Sequence, residues 1–345
     1  MRLRFGQPPE LDLLLEGRTL SIRDHRVLRA IILAEQPIDA GLLAGRLNAD
    51  SQEVPAQGEQ LVRELIAAQA LVPADYRHPL QDAAEHWERR GWLEALVLHL
   101  QSRDLRYSDF GTGTFVANAR PVTRSSCQQG MEHPRAMSPG LALPPPDPHW
   151  TTRADLLEVM YARRSGAPWT KGSIDIRLLG NLLAAGNHDS VQNRRASRVS
   201  ADEAALYDAS SYSALETYVV CNRVDGIPPG VYHYALETHE LVPVREGDFQ
   251  QDLATLCIGQ AKVKGCAAAF LIGAVWARYF RLYRHARAYR NLLINTAELA
   301  HGYILAATAA SLSNFITPAF NDEEAERLLG ASNVEVGPLY LVAVG

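Results

Sequence analysis

The sequence predicts an α+β chain: an antiparallel-sheet domain preceded by a small winged-helix-like helical module. Three observations predict it. A short strand-like stretch and three closely spaced helical periodicities fill residues 11–73; apolar β-rich runs between 216 and 244 alternate with tight turns; and a continuous apolar run, a long Ala-rich helix and a final strand close the chain. With 345 residues there is room for two domains, and 47% hydrophobic against 21% charged residues is ordinary globular composition.

The elements follow in order. Leu11 to Leu15 alternates weakly, like a short strand, and Ser21 or Asp24 is placed to cap a helix over His25–Leu33. Pro37 opens a second helix with Ala40, Leu42, Leu43 and Leu47; Asn48 and Asp50 break it; a third runs from about Glu53 to Ala70 with Leu61, Leu65, Ile66 and Ala70 on one face. The obvious use of such a module is reading DNA. Its third helix, however, carries Glu53, Glu59 and Glu64 against Arg63 alone, a poor match to a phosphate backbone. Peptide binding or packing suits it better.

One amphipathic helix is predicted over Asp82–Ser102, with Trp87, Trp92, Leu93, Leu96 and Leu98 on its apolar face. Residues 105–150 then read as connector, through Gly111-Thr112-Gly113-Thr114, read as a turn, and the Pro-rich stretch Pro139–Pro148. Domain boundaries fall at 1–80, 81–149 and 150–345. Beyond them come helices over Asp155–Arg164 and Leu178–Ala185, the second closed by Gly186; a meander through 216–223, 231–235 and 241–244; a strand over Cys266–Val275; and a helix over 287–311. Asn321 and Gly330 bracket a last helix before the strand Val336–Val344.

A net charge of −5 and a pI near 6.1 argue against nucleic acid or an anionic membrane as partner. Of 34 basic residues only Lys171, Lys262 and Lys264 are lysines. Four cysteines without a C-x-x-C pair suggest neither a disulfide framework nor a zinc ribbon; no metal set stands out. The start has no apolar signal core and the longest apolar stretch is too short for a bilayer, so a soluble cytoplasmic protein is expected.

Four pieces of the C-terminal part resemble the nitroreductase-like flavoproteins, and specifically the SagB-type, or thiazole/oxazole-forming, peptide dehydrogenases. Tyr161-Ala162-Arg163-Arg164-Ser165 with the helix Ile176–Gly186 is similar to their R-R-S start and L-x-x-L-L-x-x-A-G helix. Gly226-Ile227-Pro228-Pro229-Gly230-Val231-Tyr232-His233-Tyr234 resembles their G-L-P-P-G-L-Y-H-Y hairpin, the most specific match. Arg287-Ala288-Tyr289-Arg290 looks like their R-x-Y-R element, and Pro338–Gly345 like their terminal strand. Trp87–Trp92 is similar to the region that precedes the flavin domain.

The resemblance implies FMN, a homodimer with flavin at the subunit interface, and two-electron oxidation of a peptide azoline to an azole. The partners it implies are a ribosomally made precursor peptide and a cyclodehydratase or other maturation enzyme. Arg163 and Arg164 with Ser165 then hold the phosphate, with Arg290 in support, unless the pair is only a solvated helix end. Departures mark the rest of the site. Where relatives have Ala-Gly-Gly beside the flavin, this chain reads Ala209-Ser210-Ser211, with both glycines replaced by serine; where they have Lys-Tyr, it has Tyr283-Arg284; where they have Gly-Gly before the last helix, it has Pro318-Ala319. Arginine is a poor base at neutral pH, so Tyr283 and Arg284 are candidates for substrate positioning or simply exposed residues. The alternative function is a degenerate flavin-fold partner that binds precursor peptide or the cyclising enzyme without catalysis.

Overall fold

The structure is a computed structural model that describes residues 2–4, 8–13, 18–49, 56–101, 139–147, 149–150, 155–170, 172–199, 214–280, 287–331 and 336–345. The chain divides into two compact units, Met1–Arg106 and Tyr107–Gly345.

The first unit begins with an antiparallel sheet of β1 (Arg2–Arg4), β2 (Glu10–Leu13) and β3 (Arg18–Ser21) in that order. Helices α1 (Arg26–Leu33), α2 (Ala40–Asn48) and α3 (Ala56–Ala67) follow, and Leu11, Val27, Leu43, Leu47, Leu61 and Leu65 form their shared core. Asp39 caps α2 by accepting the Leu42 N–H at 2.9 Å. Asn48, read as a helix breaker, also fastens α3: its Oδ1 accepts the Gly58 N–H at 2.9 Å. A Cβ on Gly58 would lie 2.4 Å from that same oxygen, so only glycine lets the helices meet there.

The single helix expected over Asp82–Ser102 is instead two, α4 (Gln81–Glu88) and α5 (Leu93–Gln101). Gly91 adopts φ +72°, which ends the first helix and turns the chain into the second. The break also redirects Trp92, which is 61% exposed and meets Trp87 edge-on at 5.9 Å rather than lining a continuous apolar face.

The second unit is built on a seven-stranded antiparallel sheet. From one edge it runs β11 (Asn314–Thr317), β12 (Val336–Val344), β10 (Ala268–Val275), β6 (Leu215–Cys221), β8 (Gly230–Ala235), β9 (Glu240–Glu246) and β4 (Leu141–Ala142). Two residues of parallel pairing join β5 (Ile174–Asp175) to β7 (Val224–Asp225). Strand β10 is buried along its whole length, and its side chains alternate between two cores. Phe270, Ile272 and Ala274 pack toward α7 (Ile176–Gly186) and α11 (Arg287–Ala309). Ala269, Leu271 and Val275 pack toward α9 (Gln250–Leu256) and α12 (Asp322–Leu329). Helices therefore cover both faces of the central strands, which is why a continuous apolar run marked β10 in the sequence. Three further helices lie among the described residues of this unit: α6 (Leu156–Ala162), α8 (His188–Val199) and α10 (Trp276–Phe280).

Gly186 was expected as a left-handed cap, but it is the last residue of α7 and the cap is Asn187 at φ −96°. The glycine is needed for space instead. A Cβ on Gly186 would lie 2.3 Å from the Tyr303 ring of α11, and Gly302 faces it across the same crossing. Tyr303 is wholly buried there; its hydroxyl donates to Thr217 Oγ1 at 3.0 Å and accepts from Asn187 Nδ2. By contrast, the cap expectations for α12 hold: Asn321 accepts the Glu324 N–H, and Gly330 sits at φ +58°.

Part of the Pro-rich stretch is laced onto this sheet. β4 pairs with β9, the Leu143 N–H donates to His239 O, His239 Nε2 lies 3.0 Å from Pro144 O, and the Asp147 N–H donates to Asn181 Oδ1. Burial holds His239 below the ordinary histidine range although the Pro144 carbonyl opposes this, which favours a neutral ring with Nε2–H toward the carbonyl. Among the described residues no helix is long and apolar enough to cross a membrane.

Candidate functional site

Helix α6 starts at Asp155, whose carboxylate accepts the Leu157 and Glu158 N–H groups, and it stops at Arg163, where ψ reaches 123°. Arg164 folds back over this end, and its Nη1 donates to Tyr161 O at 2.7 Å and to Arg163 O at 2.8 Å. One edge of that guanidinium thus closes the helix terminus. The chain then meets the edge of the large sheet: Ser165 bridges Asn314, Ser165 Oγ accepts the Ile316 N–H at 3.2 Å, and the Gly166 N–H donates to Asn314 O at 2.8 Å. With one lone pair engaged by that bond, the Ser165 hydroxyl keeps its proton to donate.

Gly166 has φ +78°, and a Cβ on it would lie 2.8 Å from Lys262 Nζ. Lys262 belongs to the 3-10 turn Ala261–Val263. The residue before that turn, Gln260, donates through Nε2 to Thr317 Oγ1 at 3.2 Å and to Ala319 O at 2.8 Å. The structure therefore brings Arg163, Arg164 and Ser165 together with the Pro318-Ala319 loop, and adds Lys262, which sequence reasoning passed over. Among the described residues the side chains of Arg163 and Lys262 have no hydrogen-bond or ion-pair partner. Asn314 is 1% exposed, and its Oδ1 has no partner either.

Arg290 lies elsewhere. It is in the first turn of α11, whereas Asn314 Nδ2 reaches Thr308 in the last turn at 3.4 Å. At ~1.5 Å per residue the two ends are roughly 27 Å apart. Within one chain, Arg290 and the Arg163–Ser165 turn do not meet. Tyr283, Arg284, Ala209, Ser210 and Ser211 lie outside the described residues.

A second polar cluster was not foreseen. Glu216, on β6, is 1% exposed and is held by three side chains. Arg194 of α8 bonds it at 2.9 Å, His233 of β8 lies 3.0 Å away, and Arg278 of α10 completes the set. Burial pushes the Glu216 carboxyl upward, but the charges of Arg194 and Arg278 and the His233 contact outweigh it and hold the group well below 4.5. The sequence did contain one sign of this: an acidic residue in the otherwise apolar run Leu215–Cys221.

Residues 194–345 match the nitroreductase family model. The trifolitoxin operon protein TfxC of Rhizobium leguminosarum bv. trifolii is 32% identical over 352 residues, covering 98% of this chain and 96% of that protein. The chain belongs to the nitroreductase family. A nitroreductase-like protein of Methanocaldococcus jannaschii is 27% identical over 190 residues, covering 55% of this chain and 90% of that protein. Among solved structures, the E. coli microcin synthetase McbBCD complex with truncated pro-MccB17 bound contains a chain 16% identical to this one. The match covers 79% of this chain and 98% of that chain, with a TM-score of 0.42.

A nitroreductase fold implies a flavin, and the turn at Ser165 fits one on its own chemistry. Two partnerless cations and a hydroxyl donor suit a phosphate, and the orphaned Asn314 Oδ1 suits a hydroxyl of a polyhydroxy chain.

Proposed function

We propose that this oxidoreductase-family chain is a SagB-type, FMN-dependent peptide dehydrogenase. Its substrate would be a ribosomally made precursor peptide, from which two hydrogens are removed, as in azoline-to-azole oxidation. The observation that carries the reading is the end-to-end likeness to a protein of a toxin operon, over both units and not only the flavin-type one. The uncompensated cations at the Ser165 turn support it.

The residues divide the work. Arg163 and Ser165 hold the phosphate of FMN, Arg164 fixes the end of α6 beneath them, and the Gln260 carboxamide sets the Pro318-Ala319 loop. Bound FMN supplies the two-electron acceptor. Tyr283 and Arg284 are the candidates for orienting the peptide. Leu156, Leu157, Met160 and Tyr161 on α6, with Leu293 and Ile294 on α11, are exposed apolar groups on two helices that pack together. A second copy of the chain would cover them, which supports a homodimer. The first unit, with Glu59 and Glu64 on α3, suits a peptide better than DNA. Precursor peptide and a cyclodehydratase are the partners on this reading, and a cytoplasmic site of action agrees with it.

The test is the visible spectrum of the purified protein, followed by incubation with the peptide encoded beside its gene. A yellow protein with one FMN per chain and a peptide lighter by two hydrogens are expected. A colourless protein that FMN does not reconstitute overturns the reading. Tyr283 in place of the relatives' lysine favours one second reading, a non-catalytic binding partner, and loss of two hydrogens from the peptide would exclude it.

A further inference from the structure

We infer that Lys262 is a phosphate ligand, completing with Arg163 and Ser165 a cradle for the phosphate dianion of the flavin, an assignment that rests on the flavin reading above. The case begins with the turn. Gly166 needs its left-handed φ of +78°, but conformation is only half of its role. The space a Cβ would occupy is held by the Lys262 side chain, with both Cδ and Nζ at 2.8 Å from that position. The absence of a side chain at 166 therefore lets an ammonium group lie directly over the Ser165–Gly166 backbone.

No described residue neutralises that ammonium. Among the described residues Lys262 has no ion pair or hydrogen bond, and Arg163, three residues before Gly166, has none at its side chain. Two uncompensated cations carried by neighbouring segments make a favourable place for an anion. The nearby donors are of phosphate type: a guanidinium fork, a hydroxyl that already accepts from Ile316 N–H and so donates outward, and a compact ammonium. The lysine is also chemically distinctive, since it is one of three in a chain whose other 31 basic residues are arginine. An ammonium on a flexible stem bonds a tetrahedral anion from any direction, where a second planar fork beside Arg163 is restricted in approach.

The position is tied to the rest of the site. Gln260, two residues before Lys262, bonds both Thr317 and Ala319, and Ile316 bonds Ser165. The 3-10 turn, the Pro318-Ala319 loop and the Arg163–Gly166 turn thus share one set of hydrogen bonds, and Lys262 is held at their junction.

The test compares two flavins on the full chain, FMN and riboflavin, which differ only in the phosphate. Lys262→Gln should weaken FMN binding by about tenfold or more and leave riboflavin affinity within about twofold, with Lys262→Arg recovering part of the loss. Unchanged FMN affinity, or an equal fall for both flavins, overturns the assignment. If the unsubstituted protein binds neither flavin, the cofactor reading itself fails, and the cradle is judged on inorganic phosphate alone. Phosphate should then slow acetylation of Lys262 while Lys171 and Lys264 react as before; equal reaction of all three overturns it.

Discussion

The second unit handles positive charge in two opposite ways. Arg194 and Arg278 converge on the buried Glu216, with His233 on its other oxygen, so the charges are dehydrated and matched inside the protein. Arg163 and Lys262 flank the Ser165–Gly166 turn at the sheet edge, and no carboxylate among the described residues answers them. The first cluster binds strand β6 to α8, α10 and β8, elements distant in the chain. The second, on the proposed reading, is completed by an anion from outside. A matched buried charge is a device for holding a fold, and an unmatched pair at a surface turn is a device for holding a ligand.

Breaking the first cluster should have the largest effect. Glu216→Gln removes the carboxylate that faces two buried arginines, and a loss of about 3–5 kcal/mol in unfolding free energy is expected by urea titration. A loss below about 1 kcal/mol would show that the cluster is not the anchor its geometry indicates. Acid provides a second view of it. Because the folded carboxyl lies well below 4.5, its contribution is fully present above that value and is lost as pH falls toward the lowered folded value. The unsubstituted protein should therefore lose stability on acidification below about 4.5, and Glu216→Gln should show a shallower decline over the same range.

The turn sharpens the comparison from the other side. Gly166→Ala imposes a side chain at φ +78° and displaces Lys262, so about 1–2 kcal/mol of stability should be lost together with FMN affinity. Arg163→Gln should be the mildest for the fold, within about 0.5 kcal/mol of the parent by thermal unfolding, while FMN binding weakens. Added salt should weaken FMN binding, since these cations face solvent, and should hardly change the Glu216 cluster.

How much of this was legible in the sequence differs residue by residue. The strands β6, β8, β9, β10 and β12 and the caps at Asn321 and Gly330 were readable because each rests on local pattern: alternation or unbroken burial, an acceptor side chain, a left-handed glycine. The short edge strands β4 and β11 carry no such pattern and were not foreseen. Gly186 was misread because a glycine after a helical run looks the same whether it turns the chain or admits a ring, and the ring that needs it, Tyr303, is far along the chain. Trp92 was placed on a continuous helix face because Gly91 alone does not announce a positive φ. The Glu216 cluster was out of reach for a related reason. Its partners stand 22, 17 and 62 residues away, and nothing in their neighbourhoods marks Arg194 among so many arginines. In the candidate site, the Arg-Arg-Ser motif was visible through family likeness, whereas Lys262 required the fold, since only the meeting of the 3-10 turn with Gly166 gives it a role.

The most direct test of the contrast is the thermal midpoint of the unsubstituted protein and of Lys262→Gln, each measured alone, with FMN and with riboflavin. The account predicts equal midpoints without ligand, and a rise with FMN beyond that with riboflavin in the unsubstituted protein only. A lower midpoint for Lys262→Gln without ligand, or the same FMN-specific rise in both proteins, would contradict it.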